Sequence, residues 1–162
     1  MTRLIDLIKY ILEVYPKLEE LSKPRLVKLI YLIDWKHAIN TNEQYTNIKW
    51  IYNHYGPYVN DVINVMKLNP NEFIVSSRQN PYGGVTDKFK LNRNSNTASE
   101  IDSEVKNITE FLISKTAHLS WSKFISVVYS TYPVKNNLKY SSLDLEGLAK
   151  EYRIIKTSAN NV

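Results

Sequence analysis

Apolar residues in the first third of the chain recur at helical spacing. Leu4, Ile8, Ile11, Leu12 and Tyr15 share one face and Asp6, Lys9 and Glu13 the other, which predicts an amphipathic helix over residues 3–15, ended by Pro16. A second helix opens with Ser22 as its cap and Pro24 in the first turn, and runs to about His37. It is apolar on two sides: Leu26, Leu29, Ile30 and Ile33 form one stripe, and Val27, Tyr31 and Trp35 form another roughly opposite. A helix wrapped in that way sits between other elements, so it is expected at the centre. Residues 38–47 read as a polar connection. Ile48, Trp50 and Tyr52 then alternate with Lys49, Ile51 and Asn53, a short strand leading to Gly56-Pro57. There Gly56 is suited to a positive φ, and Pro57 to the first position of a helix. That helix carries Asp61 in its first turn, buries Val59, Val62, Ile63 and Met66, and stops before Pro70.

The second half is punctuated by turn residues. Phe73–Ser76 reads as a strand, and Pro81-Tyr-Gly-Gly84 as a turn. With Val85–Leu91 these make a hairpin arm, followed by a loop; residues 78–98 as a whole are expected to be flexible. In Lys88-Phe89-Lys90-Leu91 the alternation puts Phe89 and Leu91 inward and the lysines outward. Ser99-Glu-Ile-Asp102 has the pattern of a capping box and opens a helix striped by Ile101, Val105, Ile108 and Leu112, with Lys106 and Glu110 toward solvent. Ser120 introduces a further helix through Phe124, Ile125 and Val128 to Tyr132-Pro133. Ser141–Asp144 leads into a last, short one through Leu145, Leu148 and Tyr152. Residues 156–162 have nothing to bury and are expected to fray. The fold class implied is mainly α (α+β): a compact bundle of about six helices around a central helix, with a small antiparallel sheet or hairpin, in one domain over residues 1–155.

Composition removes several chemistries. The 162 residues include no cysteine, which excludes disulfides, thiolate catalysis and cysteine-bound metals. No apolar run approaches the roughly 18–20 residues of a membrane span, and Asp6 follows Met1 too closely for a signal peptide, so a cytoplasmic location is expected. The net charge of +5 comes from scattered cations interleaved with acids, which makes nucleic acid a secondary expectation. Gly83-Gly84 lacks the spacing of a phosphate-cradling loop. His37, His54 and His118 stand on three different elements with no ligand spacing, and Asp34 with His37 reads as a local pair on a helix surface. No catalytic residue, metal or cofactor is expected, nor an enzyme.

What remains is a surface. Rings cluster around one Gly-Pro step, and Tyr52, His54, Tyr55 and Tyr58 are the expected contacts to a partner, with Arg78, Tyr82 and Arg93 of the arm as a second set. Leu29-Ile-Tyr31-Leu-Ile-Asp34-Trp35, followed by Trp50-x-x-x-x-Tyr55-Gly56-Pro57-Tyr-Val59, resembles the signature of the SocA-like Panacea antitoxin domain. Leu119-Ser-Trp, Val128-Tyr-Ser-Thr-Tyr-Pro133 and Leu143-Asp-Leu-Glu-x-Leu148 are similar to its C-terminal half, so the resemblance spreads over residues 4–152. It implies a helical domain with a small antiparallel sheet that holds a co-encoded toxin inactive by binding it. Two other functions stay open at this point: a DNA-binding autoregulator of its operon, and a phage-encoded inhibitor of a host defence protein.

Overall fold

A helix buried on every side organises the molecule. In the computed structural model, which describes residues 2–94 and 98–160, α2 (Lys23–Thr41) is buried without interruption from Arg25 to Trp35. The two apolar stripes read from the sequence explain this: α4 (Ser103–Thr116) and α7 (Leu145–Ala159) both pack on it. Ser22 caps its start, the hydroxyl accepting from the Arg25 amide at 3.3 Å. The helix outruns its expected end near His37 by a turn, for a reason outside the local sequence. Arg153 of α7 donates to the Ala38 and Ile39 carbonyls at 3.0 and 2.7 Å and to the Asn42 side chain, satisfying the last turn.

The same device closes α4. Arg25 donates to the Thr116 and Leu119 carbonyls at 3.1 and 2.8 Å, and its guanidinium lies 4.6 Å from the centre of the Phe124 ring. At the other end of α4 the expected capping box does not form. The helix starts at Ser103, Asp102 holds the cap position without a side-chain bond, and Ile101 is buried ahead of the helix.

The first helix, α1 (Thr2–Val14), carries one correction. Lys9 does not face solvent: it is buried and pairs with Glu72 at 2.7 Å, because α1 packs beneath the segment that leads into β3. A 3₁₀ turn (Leu18–Glu20) joins α1 to α2. The segment after α2 forms β1 (Tyr52–Asn53) and β2 (Gly56–Pro57), and α3 (Asp61–Leu68) begins four residues later than Pro57 suggests, with Asp61 in its first turn as expected. The arm is an ordered antiparallel hairpin of β3 (Phe73–Gln79) and β4 (Val85–Leu91), paired from Phe73↔Leu91 to Gln79↔Val85. Phe73 and Phe89 point into the core. The expected flexible loop falls partly on residues 95–97, outside the described residues.

Ser120 caps α5 (Trp121–Tyr129) as expected, but that helix stops short of Tyr132-Pro133, which open a separate short α6 (Tyr132–Lys135). Asp144 caps α7 by accepting from the Gly147 amide at 3.1 Å. Residues read as a frayed tail continue α7 to Ala159; residues 161–162 lie outside the described set. Among the described residues there are seven α-helices and two small antiparallel sheets, so the mainly α class holds with one short helix more.

Candidate functional site

The Gly-Pro step is the return arm of a very small hairpin. Tyr52 pairs with Pro57 and Asn53 with Gly56, leaving His54 and Tyr55 as the loop. Gly56 has φ +92, a backbone that side chains other than glycine's adopt at a cost, and the Asn53 side chain accepts from the His54 amide at 2.8 Å. A third segment closes the other edge. Tyr52 N–H donates to the Ser141 carbonyl and Leu143 N–H to the Trp50 carbonyl, both at 2.9 Å, while Tyr140 N–H donates to the Tyr52 carbonyl. Ile51 also bridges Ser142. The backbone of residues 50–58 is therefore fixed from both sides.

Large side chains stand out from this scaffold. Tyr55 is 73% exposed, with Ile51 and His54 exposed on the same hairpin; Tyr140 is 68% exposed, and Leu138, two residues before it, 83%. His54 sits edge-on to Tyr55 with ring centres 4.5 Å apart, and its Nδ1 lies 3.2 Å from the Tyr140 hydroxyl. Tyr140 holds this place with φ +68, unusual for a residue with a side chain. Exposed rings on backbone that is already ordered lose little freedom on contact, which favours binding.

Beneath the face lies an aromatic layer. Tyr52 is buried, its ring edge-on to Tyr129 at 6.3 Å, and Tyr129 also lines the underside of Gly56. Tyr58 is half-buried, with the Lys28 ammonium 5.5 Å and the Lys23 ammonium 6.0 Å from its ring centre. Lys28 is only 1% exposed, and burial lowers its pKa to about 8. Asp34, farther along α2, is fully enclosed and accepts from Thr46 N–H at 2.9 Å, Thr46 Oγ1 at 2.5 Å and Trp50 Nε1 at 2.8 Å. Desolvation lifts its carboxyl to about 6 in spite of these donors, which oppose the shift. It is not the surface partner of His37. That imidazole turns to the end of its own helix, with Nδ1 2.6 Å from the Glu43 carbonyl oxygen.

The structure thus separates the expected contacts. His54 and Tyr55 come together on the face, Tyr58 lies at its edge, and Tyr52 supports it from below. Arg78, Tyr82 and Arg93 are exposed on or beside the β3–β4 hairpin, another element. Leu138 and Tyr140 were not singled out from sequence. The motif residues Leu29, Tyr31, Asp34, Trp35 and Trp50 are all buried, as are Gly56 and Pro57, so apart from exposed Tyr55 and half-buried Tyr58 the signature describes the core under the face. Among the described residues, no three of His, Asp and Glu gather as a metal-ligand set, and no helix is long and apolar enough to cross a membrane.

The family model described as the SocA-like antitoxin, Panacea domain, matches residues 26–133. The chain belongs to that family. The match runs from α2 through α5 to Pro133, covering the buried motif, the small hairpin and the β3–β4 arm. It leaves α1, α7 and the 138–143 segment of the Panacea chain outside. No curated protein and no solved structure matches the chain.

Proposed function

We propose that this Panacea domain is an antitoxin that neutralises a protein toxin, encoded nearby, by covering it directly, with no bond made or broken. The contact face is formed by His54, Tyr55, Leu138 and Tyr140. What supports this reading is the hairpin of residues 50–58: Tyr55 on it and Tyr140 on the segment paired with it are more than two-thirds exposed on hydrogen-bonded backbone, and exposed Leu138 lies two residues before Tyr140. Tyrosine on rigid backbone is typical of interface anchors, and family membership supplies the class of partner. Inhibition of a host defence protein would use the same face in the same manner, and differs only in the partner. A regulator reading DNA through a recognition helix finds no support in α2, whose surface is enclosed from Arg25 to Trp35.

Co-expression with neighbouring reading frames, scored by growth rescue and then co-purification, identifies the partner. Tyr55→Ala and Leu138→Ala are then expected to weaken the purified complex by at least ~2 kcal/mol each, about 30-fold in Kd, while leaving the thermal transition in place. Full neutralisation by the double variant would place the interface elsewhere.

A further inference from the structure

We infer that the outer face of the β3–β4 hairpin binds nucleic acid, lying in the major groove of duplex DNA. In the sequence the cations look scattered; the register of the hairpin gathers them. Ile74 pairs with Lys90, Ser76 with Lys88 and Arg78 with Thr86, and the alternation of strands puts these six on one face. Phe73 and Phe89, on the opposite face, are buried against the body. Same-face positions step by about 7 Å along a strand, so Arg78, Lys88 and Lys90 form a line of three charges with hydroxyl and apolar groups between them.

No carboxylate belongs to this face. Asp87 points to the inner side, where it meets Lys23 at 3.7 Å and the Ser77 hydroxyl at 2.6 Å, and Glu72 is paired with Lys9. Cations from α1 and α2 thus neutralise the acids around the hairpin and leave its own cations available. Among the described residues the side chains of Arg78 and Lys90 have no hydrogen bond or ion pair. Lys88 donates to the Glu19 carbonyl at 2.8 Å; that bond does not cancel its charge, but Glu19 makes it the weakest of the three. At the tip Tyr82 is 95% exposed, a ring free to lie against sugar or base.

The occupant follows from charge and shape. A line of uncompensated cations selects a polyanion, and a two-stranded ribbon fits the roughly 12 Å major groove of B-form DNA. The deep, narrow major groove of A-form RNA does not admit it. Arginine, lysine, serine and threonine are also the side chains that reach base edges there.

The test uses the full chain and a fluorescent DNA duplex of mixed sequence, read by anisotropy. Three phosphate contacts give a log–log salt slope of about −2.7, so affinity should fall about 40-fold between about 50 and 200 mM salt. Arg78→Ala and Lys90→Ala should each flatten the slope by about 0.9, and Arg78→Glu with Lys90→Glu should abolish binding without moving the melting temperature. Duplex RNA should bind more weakly than DNA, and Lys150→Ala, at an exposed position of α7, should change nothing. The inference is overturned by a slope unaffected by Arg78 and Lys90, or by equal affinity for duplex RNA. It is overturned too if these variants lose a protein partner while the wild type shows no DNA binding.

Discussion

Asp34 and Lys28 are both charged residues buried on the central helix, and their surroundings could hardly differ more. Asp34 receives three hydrogen bonds, two from Thr46 and one from Trp50, which tie the segment after α2 onto the helix. Lys28 has no hydrogen-bond acceptor among the described residues; the face of the Tyr58 ring is its electrostatic partner, and its Cε lies under Gly56. A buried carboxylate with both oxygens engaged is a fastener. A buried charge without an acceptor costs stability where it stands. The fastener holds the loop that delivers Trp50 to the hairpin, and the costly charge lies directly beneath that hairpin.

The largest way to break this contrast is Asp34→Ala. It leaves the Thr46 and Trp50 donors facing a cavity, each worth about 1–3 kcal/mol when unsatisfied and buried. We expect a loss of at least ~3 kcal/mol in urea unfolding, about 6–12 °C in melting temperature. Asp34→Asn should cost less, because its carbonyl still accepts while its amide opposes the Trp50 N–H. The sign with pH is also set. The folded carboxyl, near 6, lies above its ordinary 3.8, so the folded state binds more protons between those values. This contribution to stability is greatest below about pH 4 and is lost as pH rises through 6. Asp34→Asn should lack that fall, and an unchanged profile would remove the buried carboxylate from the account.

The second is Lys28→Met, which should do the opposite and stabilise. At pH 7 the ammonium is charged and largely withdrawn from water, and an apolar side chain of similar length removes that penalty, worth about 1–3 kcal/mol. The folded pKa near 8 lies below the ordinary 10.5, so the wild type binds fewer protons when folded and gains stability as pH rises from about 8. The variant should lack that rise. A Lys28→Met protein less stable than wild type at pH 7 would show that the ammonium has a partner that the fold depends on.

Much of this was legible in the sequence, and what was not has a common cause. The two stripes of α2 announced a central helix, and Phe89 and Leu91 announced the inner face of β4, because these signals are periodic and local. Asp34 was misread because His37 is its neighbour at helical spacing, whereas its real partners are Thr46 and Trp50, on the segment beyond the helix. An aspartate inside an apolar run with a tryptophan downstream was the available clue. The pairing of Lys9 with Glu72, and the capping of α2 by Arg153 from α7, carry no periodic mark at all. The face itself was half visible: His54 and Tyr55 precede Gly56, but Leu138 and Tyr140 carry no periodic signal, and it is the pairing of Tyr52 with Ser141 that brings Tyr140 to the hairpin.

The finest test of the comparison concerns Tyr140, because its ring either belongs to the fastening or to the surface. Its backbone N–H is bonded to Tyr52, but the ring is exposed and, among the described residues, its hydroxyl is bonded only to the exposed His54. Tyr140→Gly keeps the backbone bonds and relaxes the positive φ, a gain of about 1–2 kcal/mol, against about 0.5–1 kcal/mol for the greater freedom of glycine when unfolded. These nearly cancel, so stability should stay within about 1 kcal/mol of wild type while partner binding falls by at least ~2 kcal/mol. A variant that instead melts well below wild type would make the ring a brace for the hairpin, and the exposed face would then keep only one of its two tyrosines, Tyr55.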